Sequence, residues 1–391
     1  MSVLASVEEL RVDFHSRKGV VRAVDGVSFE IRDQEILGLV GETGCGKTVT
    51  ARSFLRLLPT PPAEYAGGRV LFRMDGEMVD LLRVPEDQMR AIRGDRIAMI
   101  FQDPGKALNP AMPIARQVGE VFLQHRAAEL LAEAGLELDS VDPVGRAVLR
   151  RALAQRSRVP ERVALRLPPL RGRWRRLQVA LDERVARALE ETRIPNPRKT
   201  MASYPHELSG GMKQRVMIAQ ALACDPDLLI ADEPTTALDV TIQARILELI
   251  RELQDRRRTA VLYITHDLSL VRRLCDRVTV MYAGRVAESG AAEDIFARPL
   301  HPYTRGLLGA IPARAGRGRR LTAIEGSVGH ALHAGDACRF HARCPHAGPI
   351  CAERAPELAV RDVREHAAAC FLHDDRVALD PAGRPAAEVG G

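Results

Sequence analysis

The chain has 391 residues and lacks the features that mark membrane-spanning and exported proteins. No apolar run approaches the roughly 18–20 residues that a membrane-spanning helix requires. The segment from Met1 to Phe14 carries several charges and has no apolar signal-peptide core. We therefore expect a chain that starts and stays in the cytosol, where it could still bind a membrane protein. Its length allows about two to three domains.

Cysteine is scarce in most of the chain, and the seven cysteines are distributed unevenly. Three are scattered, whereas the last four follow the pattern C-x5-C-x6-C-x18-C and are Cys338, Cys344, Cys351 and Cys370. In a reducing cytosol, such a group favours a metal site over two disulfides. Four buried thiols without a metal are the alternative.

An excess of positive charge is confined to one stretch. From Arg146 to Ala180 there are eleven arginines and one acid, Glu161, which gives +10 against +6 for the whole chain. The rest of the chain is therefore slightly acidic, and the argument for a nucleic-acid-binding surface is weak. A solvated helical face or loop is the preferred interpretation of this arginine-rich window.

A glycine-rich loop organises the sequence. It fits G-x-x-x-x-G-K-[ST] and consists of Gly41, Glu42, Thr43, Gly44, Cys45, Gly46, Lys47 and Thr48. An apolar strand pattern at 36–40 precedes it and a helical pattern follows it, which is the context that a phosphate-binding loop needs. Backbone N–H groups at the helix start would bind phosphate, Lys47 would reach the β- and γ-phosphates, and Thr48 would bind Mg²⁺. The alternative is a chance glycine loop, and both flanks argue against it.

Three further motifs carry polar residues that could act on the same phosphates. Gln102 ends an apolar run at 96–101, where a glutamine can reach both Mg²⁺ and an attacking water. Asp232 and Glu233 end another apolar run; Asp232 can hold Mg²⁺ and Glu233 can polarise the water. His266 follows a third apolar run at 260–265, where it could contact the γ-phosphate and the glutamate, although a lone histidine at a strand end is usually structural.

A pair of glycines also marks the start of a predicted helix later in the chain. Ser209 is in a helix N-cap position, and the glycines Gly210 and Gly211 follow it, with Gln214 in the first turns. Such a helix start is another anion site. Two phosphate sites in one chain suggest that two chains enclose a nucleotide between the first loop of one and the second motif of the other.

The order of these motifs resembles that of the ATP-binding cassette (ABC) ATPases, and the resemblance covers residues 1–290. It implies that 41–48 is the Walker A loop, Gln102 the Q-loop and 208–214 the signature motif. It also implies that Asp232 is the Walker B aspartate, Glu233 the catalytic glutamate and His266 the switch histidine. The D-loop would be 236–239, ending in Asp239. The implied fold is α/β, an ABC-type P-loop NTPase core with a helical subdomain near 103–222.

Other segments resemble the ATPase subunits of oligopeptide and dipeptide importers, a subfamily that includes nickel and glutathione importers. The resemblance rests on four segments: QDP at 102–104, LNP at 108–110, YPHE at 204–207 and HPYT at 301–304. A C-terminal extension, 291–391, matches the subfamily's cysteine pattern, which in some members holds a [4Fe–4S] cluster. The arm between Gln102 and 208 is longer than the family needs, by an arginine-rich insert near 137–180.

The nature of the metal site stays open on the residues alone. Four thiolates suit zinc or an iron–sulfur cluster. The tight C-x2–4-C pairs of structural zinc sites are missing, which favours the cluster, whereas His341, His346 and His366 keep zinc open as the bound metal.

The resemblance does not identify the side chain that stacks on adenine. Phe14 is a weak candidate. Phe29 lies in an alternating strand pattern and is expected in the core.

The resemblance implies an ATPase that works with two membrane permease subunits at the cytoplasmic face of the membrane. A sister ATPase subunit or a second copy would close with it around two ATP molecules, and a solute-binding protein would act indirectly. The expected function is energising peptide import, with nickel or another small solute as the alternative within the subfamily. A nucleic-acid- or ribosome-associated ABC protein is the alternative of another class, but such proteins tend to carry two cassettes. An exporter ATPase is disfavoured by the cysteine-bearing extension.

Overall fold

The computed structural model describes residues 2–17, 19–136, 168–236, 238–311, 324–326, 328, 335–362, 365–380 and 382–388. The described strands are β1 Val3–Ser16, β2 Gly19–Arg32, β3 Ile36–Val40, β4 Ala63–Met74, β5 Glu77–Asp80, β6 Ile97–Ile100, β7 Leu228–Asp232, β8 Ala260–Thr265, β9 Arg277–Tyr282, β10 Arg285–Ala291, β11 Ala359–Val360, β12 Ala367–Ala368, β13 Val377–Leu379 and β14 Pro385–Glu388.

The described α-helices are α1 Lys47–Ser53, α2 Glu86–Ile92, α3 Pro104–Ala107, α4 Ile114–His125, α5 Ala127–Glu133, α6 Pro168–Glu191, α7 Pro197–Ala202, α8 Gly210–Leu222, α9 Val240–Arg257, α10 Leu268–Leu274, α11 Ala292–Ala297, α12 Pro302–Gly309 and α13 Pro349–Glu353. Short 3₁₀ helices span Pro205–Glu207, His341–Arg343 and Phe371–His373. Among the described residues, no helix is both long and apolar enough to cross a lipid bilayer.

The described chain forms two compact units. The first consists of Met1–Met89, Ile230–Glu233 and Arg258–Gly391, and the second of Arg90–Leu229 and Pro234–Arg257. The motifs predict separate domains at 1–290 and 291–391; in the structure the extension and the phosphate loop belong to the same compact unit. β12 explains why: it pairs antiparallel with β10, so that the extension continues the sheet.

The first unit contains an antiparallel sheet and a mixed sheet. The antiparallel sheet has the order β2-β1-β4-β5. In the mixed sheet the order runs β11-β12-β10-β9-β3-β8-β7, and β3 lies parallel to both β8 and β9. All five residues of β3 and all six of β8 are buried, as is typical of parallel strands covered on both faces. The phosphate loop follows the carboxyl end of β3, and His266 follows that of β8. The acidic pair, Asp232 and Glu233, lies at the carboxyl end of β7.

The second unit is a helical assembly that also contains β6. In α6 the buried leucines and valine, at Leu177, Leu181, Val185 and Leu189, recur every four residues and form one apolar face. This face packs against α4, α5 and α8. The helical pattern at 182–192 therefore extends further toward the N-terminus, to Pro168. The rest of the predicted insert, 137–167, lies outside the described residues.

Candidate functional site

The phosphate loop has a backbone that only glycine accommodates at two positions. Gly41 has φ +154°, and a Cβ there would lie 2.2 Å from the carbonyl oxygen of Met281. Gly46 has φ +102° at the N-cap of α1, and a Cβ there would lie 2.5 Å from the carbonyl oxygen of Ala23. The loop is therefore pressed against neighbouring backbone at these two glycines, directly before the start of α1.

Lys47 is folded back onto its own loop. Its Nζ donates hydrogen bonds to the carbonyl oxygens of Gly41, at 2.8 Å, and Glu42, at 3.0 Å, and the residue is only 4% exposed. The ammonium thus lies inside the curve of the loop, where the motif needs a positive charge for the terminal phosphates.

Thr48 and Asp232 are neighbours in space although 184 residues separate them. The Thr48 hydroxyl donates to Asp232 Oδ1 at 3.0 Å. Burial raises the pKa of Asp232 despite this hydrogen bond, because a desolvated carboxylate is unfavourable without a cation close by. A hydroxyl and a carboxylate in contact are hard oxygen donors, and they fit Mg²⁺.

Glu233 and His266 meet at the same edge of the sheet. The His266 Nδ1 lies 3.1 Å from Glu233 Oε1. Glu233 has a left-handed backbone with φ +46°, and its N–H donates to the carbonyl oxygen of Ile264 in β8. This turn directly after β7 aims the Glu233 carboxylate toward His266, while Asp232 faces Thr48. The first unit thus brings together Lys47, Thr48, the acidic pair and His266.

The other predicted site residues lie in the second unit. Ser209 caps α8, since its Oγ accepts the Met212 N–H at 3.3 Å. Gly210 and Gly211 stand beside the predicted D-loop: ideal Cβ atoms there would lie 3.4 Å from Leu238 and 3.1 Å from Ile242. The two motifs therefore form one surface within this unit.

Three predicted residues of this unit differ in their exposure. Asp239 is exposed, and its carboxylate accepts the Ile242 N–H at 2.9 Å. Gln102 is exposed just after β6. Gln214 is only 1% exposed, so its side chain belongs to the interior of the unit and not to the surface of the signature motif. Ala237, within the predicted D-loop, lies outside the described residues.

The four cysteines of the extension converge. Cys338, Cys344, Cys351 and Cys370 line one small cavity together with His341 and His346, and Cys338 N–H donates to the Cys351 carbonyl oxygen at 2.9 Å. Burial raises the pKa of Cys338 to about 11 and that of Cys370 to about 12. Among the described residues, no three His, Cys, Asp or Glu side chains are close enough together to hold a metal ion as they stand.

The extension also contacts the phosphate loop, which the sequence analysis did not anticipate. The guanidinium of Arg343 donates to both carboxylate oxygens of Glu42, at 2.7 and 3.0 Å. The Tyr303 hydroxyl accepts the Glu42 N–H at 2.9 Å. Tyr303 belongs to the HPYT segment at 301–304 and Arg343 to the cysteine-bearing extension, and both segments were noted for their resemblance alone. A pair separated by 301 residues leaves no spacing signal in the sequence.

Two family models match the chain. The ABC transporter model matches residues 24–236, and the model of the oligopeptide/dipeptide transporter C-terminal region matches residues 287–351. The first covers more than half of the chain and spans the phosphate loop, the signature motif and the acidic pair. The second covers the segments that contribute Tyr303 and Arg343.

Curated relatives match along almost the whole chain. A probable peptide ABC transporter ATP-binding protein of Sinorhizobium fredii is 44% identical over 96% of this chain and 97% of its own length. The dipeptide transport ATP-binding protein DppD of Bacillus subtilis is 40% identical over 96% of each chain. The oligopeptide transport ATP-binding protein OppD of Salmonella typhimurium is 41% identical over 91% of this chain and 90% of its own.

Solved structures share the fold. A dimeric bacterial ABC transporter cassette superposes with a TM-score of 0.52 at 20% identity, covering 74% of this chain and 99% of that chain. A Clostridium perfringens protein, part of an ABC transporter complex, gives 0.52 at 26% identity over 76% of this chain and 92% of its own. The motif geometry, the family models and the full-length relatives agree: the chain belongs to the ATP-binding proteins of the ABC transporter family, in the group that carries the oligopeptide/dipeptide transporter C-terminal region.

Proposed function

We propose that this chain hydrolyses ATP at its phosphate loop in order to energise the import of di- or oligopeptides. The observation that carries the ATPase part is the convergence of Lys47, Thr48, Asp232, Glu233 and His266 at one edge of the sheet in the first unit. These five side chains come from three separate stretches of sequence, and each has a role in phosphoryl transfer to water.

In this proposal each residue has a specific task. When ATP binds, the Lys47 ammonium gives up its hydrogen bonds to the loop carbonyls and contacts the β- and γ-phosphates instead. Free N–H groups of the loop bind the remaining phosphate oxygens. Thr48 and Asp232 would hold Mg²⁺, which neutralises charge on the β- and γ-phosphate oxygens when bound. Glu233 orients and polarises the attacking water, and His266 holds the Glu233 carboxylate in place. Gln102 would contribute to the metal and the water from the end of β6.

A second ATPase chain would complete each site. Ser209, Gly210 and Gly211 form the start of a 13-residue helix, α8, whose N–H groups and dipole favour an anion. The adjoining D-loop, through Asp239, would face the same nucleotide. The chain would therefore pair with a sister ATPase subunit or with a second copy of itself and enclose two ATP molecules.

The names of the relatives support the choice of solute in this proposal. Several are named as peptide, dipeptide or oligopeptide transport ATP-binding proteins, which supports peptides as the solute over nickel. Two permease subunits would then anchor the chain at the cytoplasmic face of the membrane, and a solute-binding protein would deliver the peptide on the other side. No contact with nucleic acid is needed for this function.

Replacing Lys47 tests the nucleotide site. In the full-length chain, Lys47→Ala should weaken binding of Mg-ATP and abolish hydrolysis, because the substitution removes the charge for the terminal phosphates. Binding can be measured by isothermal titration calorimetry and hydrolysis by phosphate release. Unchanged affinity and turnover would exclude the phosphate loop as the ATP site.

We also propose that the cysteine group of the extension holds a [4Fe–4S] cluster, with zinc as the alternative. All four thiols line one cavity, and thiolates are the ligands that both groups prefer. Because burial raises the pKa of Cys338 and Cys370, the uncompensated thiolates are unfavourable, and a bound cation would stabilise them. When bound, such a group would contribute folding free energy to the cysteine-bearing segment.

Anaerobic purification tests the metal. The protein should be brown and contain about four irons and four sulfides per chain, following the four-cysteine ligation rule. Cys351→Ser should remove the colour and lower the unfolding temperature, while Cys275→Ser, outside the group, should change neither metal content nor colour. Colourless protein with one zinc per chain would show a zinc site in place of the iron–sulfur cluster. Metal-free protein with an ordered extension would contradict both the cluster and the zinc site.

A further inference from the structure

Arg343, in the cysteine-bearing loop of the extension, is held by five hydrogen bonds. Besides the two bonds to Glu42, it donates to the hydroxyl of Tyr282 at 3.2 Å and to the carbonyl oxygens of Glu325 and Ile324 at 2.7 and 3.2 Å. Its side chain is only 8% exposed. A planar guanidinium with this many bonds is fixed in position and presents a rigid fork to the Glu42 carboxylate.

Glu42 is in turn held at three points. The carboxylate pairs with Arg343, the N–H donates to the Tyr303 hydroxyl, and the carbonyl oxygen accepts a hydrogen bond from Lys47 Nζ. Tyr303 packs edge-on against Tyr282, with ring centroids 4.6 Å apart. The part of the phosphate loop that holds Lys47 is therefore fastened to the extension at two places, Tyr303 of α12 and Arg343.

The charge of Glu42 makes this pairing important. A phosphate-binding loop with a carboxylate on its second residue would repel the polyphosphate if the carboxylate were unpaired, because like charges at short range disfavour each other. The bidentate pair cancels this charge and keeps the carboxylate oriented toward the extension. The positive charge of Lys47 is then not offset by the carboxylate of Glu42.

We propose that Arg343 is a positioning residue for nucleotide binding, which neutralises and orients Glu42 so that the affinity for ATP depends on the C-terminal extension. This inference rests on the phosphate loop being the ATP site, as proposed above. Arg343 touches no nucleotide in this account; it acts through Glu42 and, through the Glu42 carbonyl, on Lys47.

A double-mutant cycle in the full-length chain tests the proposal. Arg343→Ala should weaken Mg-ATP binding about tenfold or more, since it leaves a carboxylate unpaired beside the phosphates. Glu42→Gln should change the affinity by less than about threefold, because it removes the same charge. The double variant should bind like Glu42→Gln, and added salt should reduce the defect of Arg343→Ala. Arg343→Lys should be intermediate, because an ammonium cannot form the bidentate pair.

Two controls make the outcome decisive. Arg376→Ala removes another arginine of the extension, one that pairs with Asp374 within it, and should leave ATP affinity unchanged. Unaltered affinity in Arg343→Ala, or a double variant as weak as Arg343→Ala, would overturn the inference and leave Arg343 a purely structural residue. Lys47→Ala separates the two proposals: if it binds ATP normally, the phosphate-loop assignment fails, whereas weakened binding there with normal binding in Arg343→Ala overturns only the role of Arg343.

Discussion

At the scale of single residues, the two carboxylates at the end of β7 are the proposed centre of ATP hydrolysis. Asp232 and Glu233 are consecutive, but the positive φ of Glu233 turns the two carboxylates toward different partners, Thr48 and His266. A strained backbone at such a position is tolerated where the neighbouring structure fixes it, here by the hydrogen bond to Ile264. The two proposed roles, metal binding and water activation, would thereby be divided between adjacent residues.

Glu233→Gln should preserve Mg-ATP binding and reduce hydrolysis by at least ~10²-fold, the range of a positioned general base. The amide keeps the shape of the side chain but cannot polarise the water. Both quantities should be measured in the assembled transporter, with Glu30→Gln on the exposed side of β2 as the matched control. Wild-type turnover in Glu233→Gln would remove this residue from the mechanism.

The motifs name the candidate site residues from the sequence alone, whereas the contacts between those residues are visible only in the structure. The acidic pair, the phosphate loop and His266 could be read from motifs because each ends an apolar strand. Arg343 could not, because its partner Glu42 is 301 residues away and neither spacing nor composition links them. The burial of Gln214 was likewise invisible, because a residue about one turn into a helix can face either side.

At the scale of elements, the arginine-rich window is divided by the start of α6. Residues from Pro168 belong to this helix, and Leu177 on its apolar face is fully buried. The charge pattern suggested one insert ending near 180, because the run of arginines continues to 176, into the first turns of α6. The apolar four-residue repeat, which begins at Leu177, is the signal that marks the packed helix.

Deleting 146–167 should therefore leave ATP hydrolysis and the unfolding temperature largely unchanged, if the window is a solvated insert. The longer deletion of 146–180 removes Leu177 and should lower stability by about 2–5 kcal/mol, as expected for the loss of a buried leucine. Thermal unfolding and phosphate release distinguish the two variants. Loss of hydrolysis in the shorter deletion would contradict the insert interpretation.

A buried hydrogen-bonded cluster joins the extension to the sheet. Glu288, in β10, accepts the N–H groups of Leu300 and His301 at 2.7 and 2.9 Å and lies 2.7 Å from the Nε2 of His366. Glu288 is 0% and His366 1% exposed. Burial acts to raise the pKa of Glu288, but the hydrogen bonds from His366 and the two N–H groups outweigh it and hold the pKa below 4.5.

Glu288→Gln should lower the free energy of unfolding by about 3 kcal/mol, since it removes one charge of a buried, hydrogen-bonded cluster. Because the carboxylate is held ionised in the folded state, its contribution is present above pH 4.5 and is lost as the pH falls below that value. Denaturant unfolding at pH 7 and at pH 4 measures both effects. A variant as stable as the wild type at pH 7 would show that the cluster does not stabilise the fold.

At the scale of the whole molecule, the extension is part of the nucleotide-binding unit. The sequence predicted a boundary near 290 because the ABC motifs end there and the cysteine pattern begins later. The strand pairing of β12 with β10 and the contact of Arg343 with Glu42 cross that boundary. Such pairings depend on three-dimensional packing, and two-residue strands such as β11 and β12 have no periodicity to reveal them.

Peptide uptake into proteoliposomes tests the central claim most directly. The vesicles contain the permease subunits with this chain, or with its Glu233→Gln variant, and a labelled peptide is supplied with the solute-binding protein. The account predicts accumulation that requires ATP hydrolysis: uptake with the wild-type chain, and none with Glu233→Gln although that variant assembles and binds ATP. Equal uptake with both chains, or uptake of nickel but not of peptide, would contradict it.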